Sequence, residues 1–197
     1  LFSQLLGALS GSRQYKKSTF LLDSIDQIIL PKNISLLERP FVKKTLGAKA
    51  FDTDGVLKRE QYFIHDGRVK SYVMGQYSAN QLGLKTTANA GGVNNVMVDA
   101  NFEGGLDEMI QDMGKGLVVT ELMGQGINGT TGDYSRGALG FWVENGKIQY
   151  PVSGLTIAGN LKDMLLGIVH VGTDVDQRSN LKVGSVLINQ MTIAGEG

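Results

Sequence analysis

The stretch that decides the fold class is GLVVTELMGQGINGTTGDYSRGALGFWVENGKIQYPVSGLTIAGNLKDM, residues Gly116–Met164. The apolar run Leu117–Met123 at its start predicts a strand, and the small polar residues of Gly124–Gly137 predict a loop after that strand. Asn160 can cap a short helix over Leu161–Leu165. Strand, loop and capped helix, in this order, indicate a domain that mixes sheet with short helices.

Three Asx-Gly pairs predict tight turns. Such pairs suit type I′ turns because both central residues must adopt positive φ. Asp54-Gly55 leads into a predicted strand over Val56–Ile64, Asp66-Gly67 turns that strand into Val69–Met74, and Asn145-Gly146 joins Phe141–Glu144 to Lys147–Tyr150. Other short apolar runs predict strands over Ser18–Leu22, Gln27–Leu30, Ser185–Ile188 and Met191–Ile193.

Helices are expected to be few and short. Leu1–Leu9 carries apolar residues at helical spacing and stops at Ser10-Gly11-Ser12, and Ser78–Leu82 stops at a glycine. Leu106–Met113 places apolar side chains on one face, has acidic residues in its first turn and is followed by Gly114. The sequence therefore predicts an α+β, β-rich fold of mainly antiparallel sheet with a few short helices and no internal linker.

Composition argues against several function classes. Lys+Arg and Asp+Glu balance at 19 each, so the chain lacks the basic excess that is typical of nucleic-acid binders. With no cysteine there is no disulfide framework, no thiolate zinc ligand and no cysteine nucleophile. No apolar run approaches the ~20 residues of a membrane-spanning helix. We therefore expect neither a nucleic acid nor a membrane as partner.

A literal GxGxxG, formed by Gly124, Gly126 and Gly129, follows the predicted strand. In a dinucleotide-binding turn this motif opens a helix whose N-terminus faces the pyrophosphate. Here TTGDY follows instead, and Glu144, the candidate for the acidic ribose-binding position, lies at the edge of a hairpin turn. The sequence also contains no GxxxxGK[ST]. We therefore do not expect nucleotide binding.

The residue spacing supports neither a metal site nor a serine triad. His65 and His170 belong to no HExxH or HxH pattern. A triad of Ser135, His170 and Asp133 can be written down, but no nucleophile elbow or oxyanion loop accompanies it. We expect no catalytic residue and no metal ligand in this chain.

The loop Gly124–Gly137 has two interpretations: a surface turn that folds on itself, or one wall of a substrate cleft. In the second interpretation its polar side chains offer donors and acceptors to an extended peptide, and its glycines let a bound strand approach the backbone closely. The loop Asn89–Asn95 has the same Gly/Asn character. The substrate-cleft candidates are Asn128, Thr130, Asp133, Tyr134, Arg136 and Asn94.

Four further segments have distinctive sequences: YKKSTFLLDS at Tyr15–Ser24, FDTDGV at Phe51–Val56, NAGGVNN at Asn89–Asn95 and RSNLKVGSVLI at Arg178–Ile188. Together with Gly116–Met164 they resemble the C-terminal region of the TldD/PmbA family, the "modulator of DNA gyrase" proteins, and most closely its PmbA/TldE branch. The resemblance implies that residues 1–197 form a single β-rich, barrel-like C-terminal domain of a longer protein whose N-terminal domain is absent here. A chain that begins at Leu1 without an initiator Met agrees with that expectation.

The resemblance also implies where a zinc site would lie. In the TldD branch, an HExxxH helix and a downstream cysteine bind zinc. Aligned on YKKSTFLL, that helix should end within Leu1–Leu5, with its second histidine near Ser3, and the cysteine should fall near Val183-Gly184. No His or Glu occurs in Leu1–Leu5, and Val183 cannot bind zinc. We therefore expect no cofactor in this chain and zinc in a TldD-like partner.

The function implied by the resemblance is that of a subunit in a cytoplasmic TldD/TldE-type metalloprotease complex that acts on unfolded peptides and peptide precursors. The expected partners are a TldD-like metalloprotease subunit and a peptide substrate, with a homodimer as an option for the isolated chain. Whether the chain is itself enzymatic stays open at this point, although the missing ligands favour a non-catalytic subunit. The alternative is a stand-alone peptide-binding or regulatory module without proteolysis.

Overall fold

The computed structural model describes residues 1–195, which form five short helices and eleven strands. The helices are α1 (Phe2–Ala8), α2 (Gly11–Tyr15), α3 (Gln76–Leu82), α4 (Leu106–Met113) and α5 (Leu161–Leu166). The strands are β1 (Leu36–Glu38), β2 (Gln61–His65), β3 (Arg68–Val69), β4 (Val96–Val98), β5 (Gly116–Met123), β6 (Asp133–Glu144), β7 (Lys147–Asn160), β8 (Ile168–Val171), β9 (Leu181–Lys182), β10 (Val186–Ile188) and β11 (Thr192–Ala194). The prediction of a strand-rich α+β fold is confirmed.

The described strands form three sheets. The first has the order β3-β2-β1-β4-β9, in which β4 and β9 run parallel. The second pairs β8 with β10, and the third has the order β11-β7-β6-β5. The long β6–β7 hairpin dominates the third sheet, and its register runs from Glu144 opposite Lys147 to Asp133 opposite Asn160. The prediction of mainly antiparallel sheet is confirmed, but the sheets stay separate and no closed barrel forms within residues 1–195.

Most buried apolar side chains belong to one core that joins α1, the first sheet and α5. Leu5 of α1, Phe63 of β2 and Leu161 of α5 have no exposed surface and lie in this cluster. Truncating a leucine at such a position to alanine costs about 2–5 kcal/mol. A smaller cluster fixes α4 to the third sheet through Ile110, Val118 and Val143. The helices are therefore held firmly against the sheets that they cover.

Two of the three predicted Asx-Gly turns are confirmed. Both residues have positive φ in Asn145-Gly146 (52° and 69°) and in Asp66-Gly67 (48° and 74°). In Asp54-Gly55 the glycine alone has positive φ, and the Asp52 carboxylate accepts the Asp54 N–H at 3.0 Å. This side-chain-stabilised turn does not start a strand, so the strand predicted over Val56–Ile64 begins only with β2.

The helix predictions are largely confirmed. α4 has the predicted bounds, α3 ends at Gly83 with φ 66°, and the Asn160 side chain accepts the Lys162 N–H at 3.0 Å to cap α5. After α1, however, a second helix begins at Gly11. A Cβ at Gly11 would lie 2.5 Å from Met74 Cγ, so this position requires glycine for close packing. The glycine predicted to end the helical region is therefore the first residue of the next helix. Each helix in residues 1–195 is too short, or too polar, to cross a membrane.

The strands predicted over Ser18–Leu22 and Gln27–Leu30 are wrong. Phe20 and Leu30 are buried, with 5% and 0% exposure, but their segments are irregular. The backbone N–H groups bond to turns of other segments, as when Phe20 N–H donates to Gly129 O at 3.1 Å. Apolar residues in these segments indicate burial, and burial here occurs with no more strand pairing than a single antiparallel bridge between Ile28 and Arg68 of β3.

Candidate substrate-binding site

The first glycine-rich loop is shorter than predicted, because β6 already begins at Asp133 and the loop is therefore Gly124–Gly132. It folds back along β6: Ser135 N–H donates to Gly126 O at 2.7 Å. A Cβ at Gly126 would lie 1.7 Å from Ser135 O, so this close approach requires glycine. Beside the loop lies an open groove of about 610 Å³, which we call the loop groove; it is lined by Gly126, Ile127, Asn128, Gly129, Asp133, Tyr134 and Ser135.

Three of the predicted cleft residues lie together in or next to this loop, where two of them stabilise its shape. Asn128 Oδ1 accepts the N–H groups of Thr130 and Thr131 at 2.9 and 3.2 Å. Asp133 accepts from the Thr131 hydroxyl at 2.6 Å. Such local side-chain bonds are typical of polar turns. Asn128 and Asp133 line the loop groove, Thr130 lies next to it, and all three are solvent-exposed.

Tyr134 and Arg136 follow on β6, on the face of the sheet that is turned toward the core. Side chains alternate along a strand, and Tyr134 (7% exposed) and Ala138 (0%) mark the buried face that Arg136 shares. Burial raises the pKa of Tyr134, while the nearby guanidinium of Arg136 opposes that shift. Arg136 Nη2 donates to Leu122 O at 3.1 Å, and its Nε is buried without an acceptor.

Asn94, the sixth predicted residue, lies in the other glycine-rich loop. It is 7% exposed, and its backbone N–H donates to Glu38 Oε1 at 2.7 Å. It lines neither groove described here. The structure therefore places five predicted residues along one loop and strand, and Asn94 beside a buried charged cluster.

That cluster is centred on Glu38 and Lys58, whose side chains have no exposed surface and whose charged atoms lie 3.3 Å apart. Glu38 also accepts from Asn89 Nδ2 at 2.9 Å and from Gln61 Nε2 at 2.9 Å. Lys58 Nζ donates to Ala88 O at 2.7 Å. A buried ion pair is tolerated when further hydrogen bonds satisfy its remaining atoms. These contacts fix both ends of the loop Asn89–Asn95.

Sequence reasoning missed this cluster because its members come from segments that are far apart in the chain. One signal was available: Glu38 follows Leu36 at the spacing of one strand face, so an acidic side chain points into the core. An inward-pointing carboxylate demands buried donors, which the Gly/Asn loop supplies.

The second loop lines a groove of about 440 Å³, which we call the helix groove because α1, α2 and α3 contribute its other walls. Its lining comprises Leu6, Gly7, Ser10, Ser12, Val73, Gly75, Ser78, Asn89, Ala90, Gly91, Gly92 and Val93. None of these lining residues is charged. The surface offers hydroxyl groups, an amide and main-chain atoms, which suit the polar backbone of a neutral extended ligand.

The ionisable groups considered for chemistry are engaged elsewhere. His170 Nε2 lies 2.9 Å from Asp112 Oδ2, and its ring stacks on Phe102 with centroids 4.3 Å apart. Its hydrogen-bond partner is thus Asp112 and not Asp133, as a serine triad would need. Arg178 lowers the pKa of Asp176 to about 2 through side-chain hydrogen bonds. Among residues 1–195, no three His, Asp or Glu side chains converge to hold a metal ion.

Comparison with known proteins agrees with this architecture. Residues 1–195 match the family described as PmbA/TldA metallopeptidase C-terminal domain. Metalloprotease PmbA of Escherichia coli O157:H7 is 52% identical over 196 residues, which cover 100% of this chain and 43% of that protein. A solved Bacteroides thetaiotaomicron protein, named as a modulator of DNA gyrase, has a TM-score of 0.93 at 29% identity, over 98% of this chain and 44% of its own.

TldE from Thermococcus kodakarensis is also similar, with a TM-score of 0.83 and 27% identity over 97% of this chain and 46% of that one. The fold and these likenesses define a C-terminal domain of the metallopeptidase-related class. The chain belongs to the PmbA/TldD family. It spans less than half the length of the relatives named here.

The two positions at which the resemblance to the TldD branch places zinc ligands carry no ligand group in this chain. Ser3 is an exposed hydroxyl on α1, and Val183 is a half-buried alkyl side chain that packs against the main core. Tetrahedral zinc sites in proteins use imidazole, thiolate or carboxylate ligands. Neither position supplies one, so no chemical step is assigned to a metal held by these residues.

Proposed function

We propose that this chain is the C-terminal domain of a PmbA/TldE-type subunit that works in a cytoplasmic metalloprotease complex without holding zinc itself. A TldD-like partner carries the zinc, and the complex acts on unfolded peptides and peptide precursors. Family membership and 52% identity to a protein named metalloprotease PmbA support the proposal. The observation that carries it is the chemistry at the two expected ligand positions, a hydroxyl at Ser3 and an alkyl group at Val183.

The contribution of this domain is to hold an extended peptide. The helix groove presents main-chain groups at Gly91 and Gly92, where the absence of side chains lets a peptide backbone come close. Its uncharged lining suits binding that tolerates many peptide sequences. The Glu38–Lys58 cluster fixes the loop before the peptide arrives, which lowers the ordering cost of binding.

Gly7 gives a sharp test of the helix groove. An added Cβ at Gly7 would have no heavy atom within 4 Å, and Gly7 lines the helix groove, so the side chain of Gly7→Leu starts in open space and can occupy part of the groove. In the full-length protein mixed with its TldD-like partner, Gly7→Leu should lower peptide cleavage at least about tenfold, which equals a loss of ~1.4 kcal/mol of binding. Gly7→Ala is the matched control and should keep cleavage near the wild-type rate.

Size-exclusion chromatography of the same samples checks that the complex still forms. Unchanged cleavage by Gly7→Leu with an intact complex would remove the helix groove from the proposal. Chelator-sensitive hydrolysis of peptides by the full-length protein alone would overturn the non-catalytic role.

A stand-alone peptide-binding or regulatory module without proteolysis is the second candidate, because the uncharged lining of the helix groove could hold a peptide without any metal. Pull-down of the full-length protein separates the two functions. Recovery of a TldD-like subunit supports the protease complex, whereas peptide affinity without such a partner supports the module.

A further inference from the structure

Arg136 is a charged residue on a face of β6 that is otherwise buried. Its neighbours on that face are Tyr134 (7% exposed) and Ala138 (0% exposed), and its partner across the sheet is Ile157 (5% exposed). Strands that cover a core place apolar side chains on this face. Arginine is almost never buried there unless a partner compensates its charge.

No such partner is present in residues 1–195. The ion pairs of these residues involve other side chains, and none includes Arg136. Its Nη2 donates to the carbonyl oxygen of Leu122, and its guanidinium lies within hydrogen-bonding reach of the Tyr134 hydroxyl, but the buried Nε–H has no acceptor. Buried donors in folded proteins nearly always have an acceptor, and buried charges are nearly always paired. An anionic acceptor is therefore missing from the described residues.

We propose that Arg136 binds a carboxylate, and that an acidic peptide held by this domain supplies it; this inference rests on the proposed peptide-holding function. The guanidinium presents a planar fork of N–H donors that matches the two oxygens of a carboxylate. Arg136 also adjoins the loop groove, since Tyr134 and Ser135, which precede it on β6, both line that groove. Peptides with an acidic residue or a nearby C-terminal carboxylate are the ligand class that this site selects.

A carboxylate of the protein itself would have the same chemistry. Within this chain one candidate is Glu196, which lies outside the described residues, and another could come from the parts of the longer relatives that this chain does not span. The experiment must therefore separate a peptide carboxylate from one in the chain.

The test uses the full-length protein and two labelled peptides of equal length that differ by one Glu→Gln exchange. Wild type should bind the acidic peptide about tenfold to a hundredfold more tightly than the amide peptide, the range expected for hydrogen bonds to a charged group. Arg136→Met should abolish that preference and leave the amide peptide unaffected. Arg136→Lys should restore only part of it, because lysine lacks the planar fork.

Arg68→Met is the matched control, since Arg68 also donates to a main-chain carbonyl, that of Asp26, but lies exposed at β3. It should keep the preference for the acidic peptide. Equal binding of both peptides by wild type would overturn the carboxylate site but leave peptide holding intact. Failure of wild type to bind either peptide would overturn the proposed function as well.

Thermal unfolding of the same variants identifies a carboxylate from the chain. A lower melting temperature of Arg136→Met, together with unchanged peptide preference, would assign the partner to the protein and overturn the peptide source. If Glu196→Gln reproduces that loss of stability, Glu196 is the partner; if it does not, the carboxylate belongs to another part of the full-length protein.

Discussion

Replacing Glu38 by glutamine should destabilise the protein strongly, because it leaves the Lys58 ammonium buried without its counter-ion. Both side chains have no exposed surface, and Lys58 would keep the carbonyl oxygen of Ala88 at 2.7 Å but would face a neutral amide in place of the carboxylate. Breaking a buried pair in this way costs about 3–5 kcal/mol. For a chain of this size, that loss corresponds to a fall in melting temperature of roughly 6–20 °C.

Lys58→Met should cost less than Glu38→Gln. The carboxylate of Glu38 would still accept hydrogen bonds from Asn89, Gln61 and the Asn94 N–H. The double variant should be less destabilised than the sum of the two single variants, by about 1–3 kcal/mol, because the two residues interact directly. Urea unfolding followed by circular dichroism measures all three free energies.

Glu60→Gln is the matched control, because Glu60 pairs with Arg39 at a similar distance, 3.3 Å, but both side chains are about half exposed. Exposed pairs contribute at most about 1 kcal/mol. Two results would show that the cluster does not stabilise the loop. One is a loss of unfolding free energy in Glu38→Gln that is no larger than in Glu60→Gln, and the other is a loss in the double variant that equals the sum of the single losses.

Two further predictions concern the rest of the fold. Burial alone would raise the pKa of Asp174, but hydrogen bonds from Ser185 and other groups outweigh it and leave the pKa below its ordinary value. Asp174→Asn should therefore lower the free energy of unfolding at neutral pH, and the difference should shrink as the pH falls through the lowered pKa of the folded state, because the wild-type carboxylate is then protonated too; a difference that does not shrink with falling pH in urea titrations would contradict this. Gly140→Ala should lower the free energy of unfolding by about 1–3 kcal/mol or more, since its Cβ would lie 1.8 Å from the carbonyl oxygen of Val118. Gly7→Ala should be neutral or stabilising by up to ~1 kcal/mol. Equal melting temperatures of the two variants would contradict the steric clash at Gly140.

Local turn and cap chemistry made part of the fold predictable. The Asn145-Gly146 turn, the Asn160 cap and the bounds of Leu106–Met113 all follow from the backbone preferences of a few adjacent residues. Each of these features depends on residues within one turn or one helix, so contacts with distant parts of the chain change it little.

Features that depend on distant partners were not predictable in this way. Ser18–Leu22 and Gln27–Leu30 have apolar residues that enter the core, but their strand pairing is limited to a single antiparallel bridge between Ile28 and Arg68 of β3. The parallel pairing of β4 with β9 joins segments that are more than eighty residues apart. Periodicity in one segment carries no information about such partners.

The candidate site was predictable only in outline. The sequence predicts two glycine-rich loops and leaves surface turn and cleft wall as alternatives, and the structure places a groove beside each loop. Their internal support was not visible, because Glu38 and Lys58 reach the loop Asn89–Asn95 from other parts of the chain. The position of Arg136 on the core-facing side of β6 likewise depends on the register of β6 against β7.

The zinc content of the full-length protein, purified alone without chelator, tests the central claim most directly. The account predicts substoichiometric or absent zinc, because Ser3 and Val183 stand where the resemblance places ligands. Adding a TldD-like partner should then bring both zinc and peptide cleavage. One tightly bound zinc ion per chain in the protein alone would contradict the account and would make this subunit an enzyme in its own right.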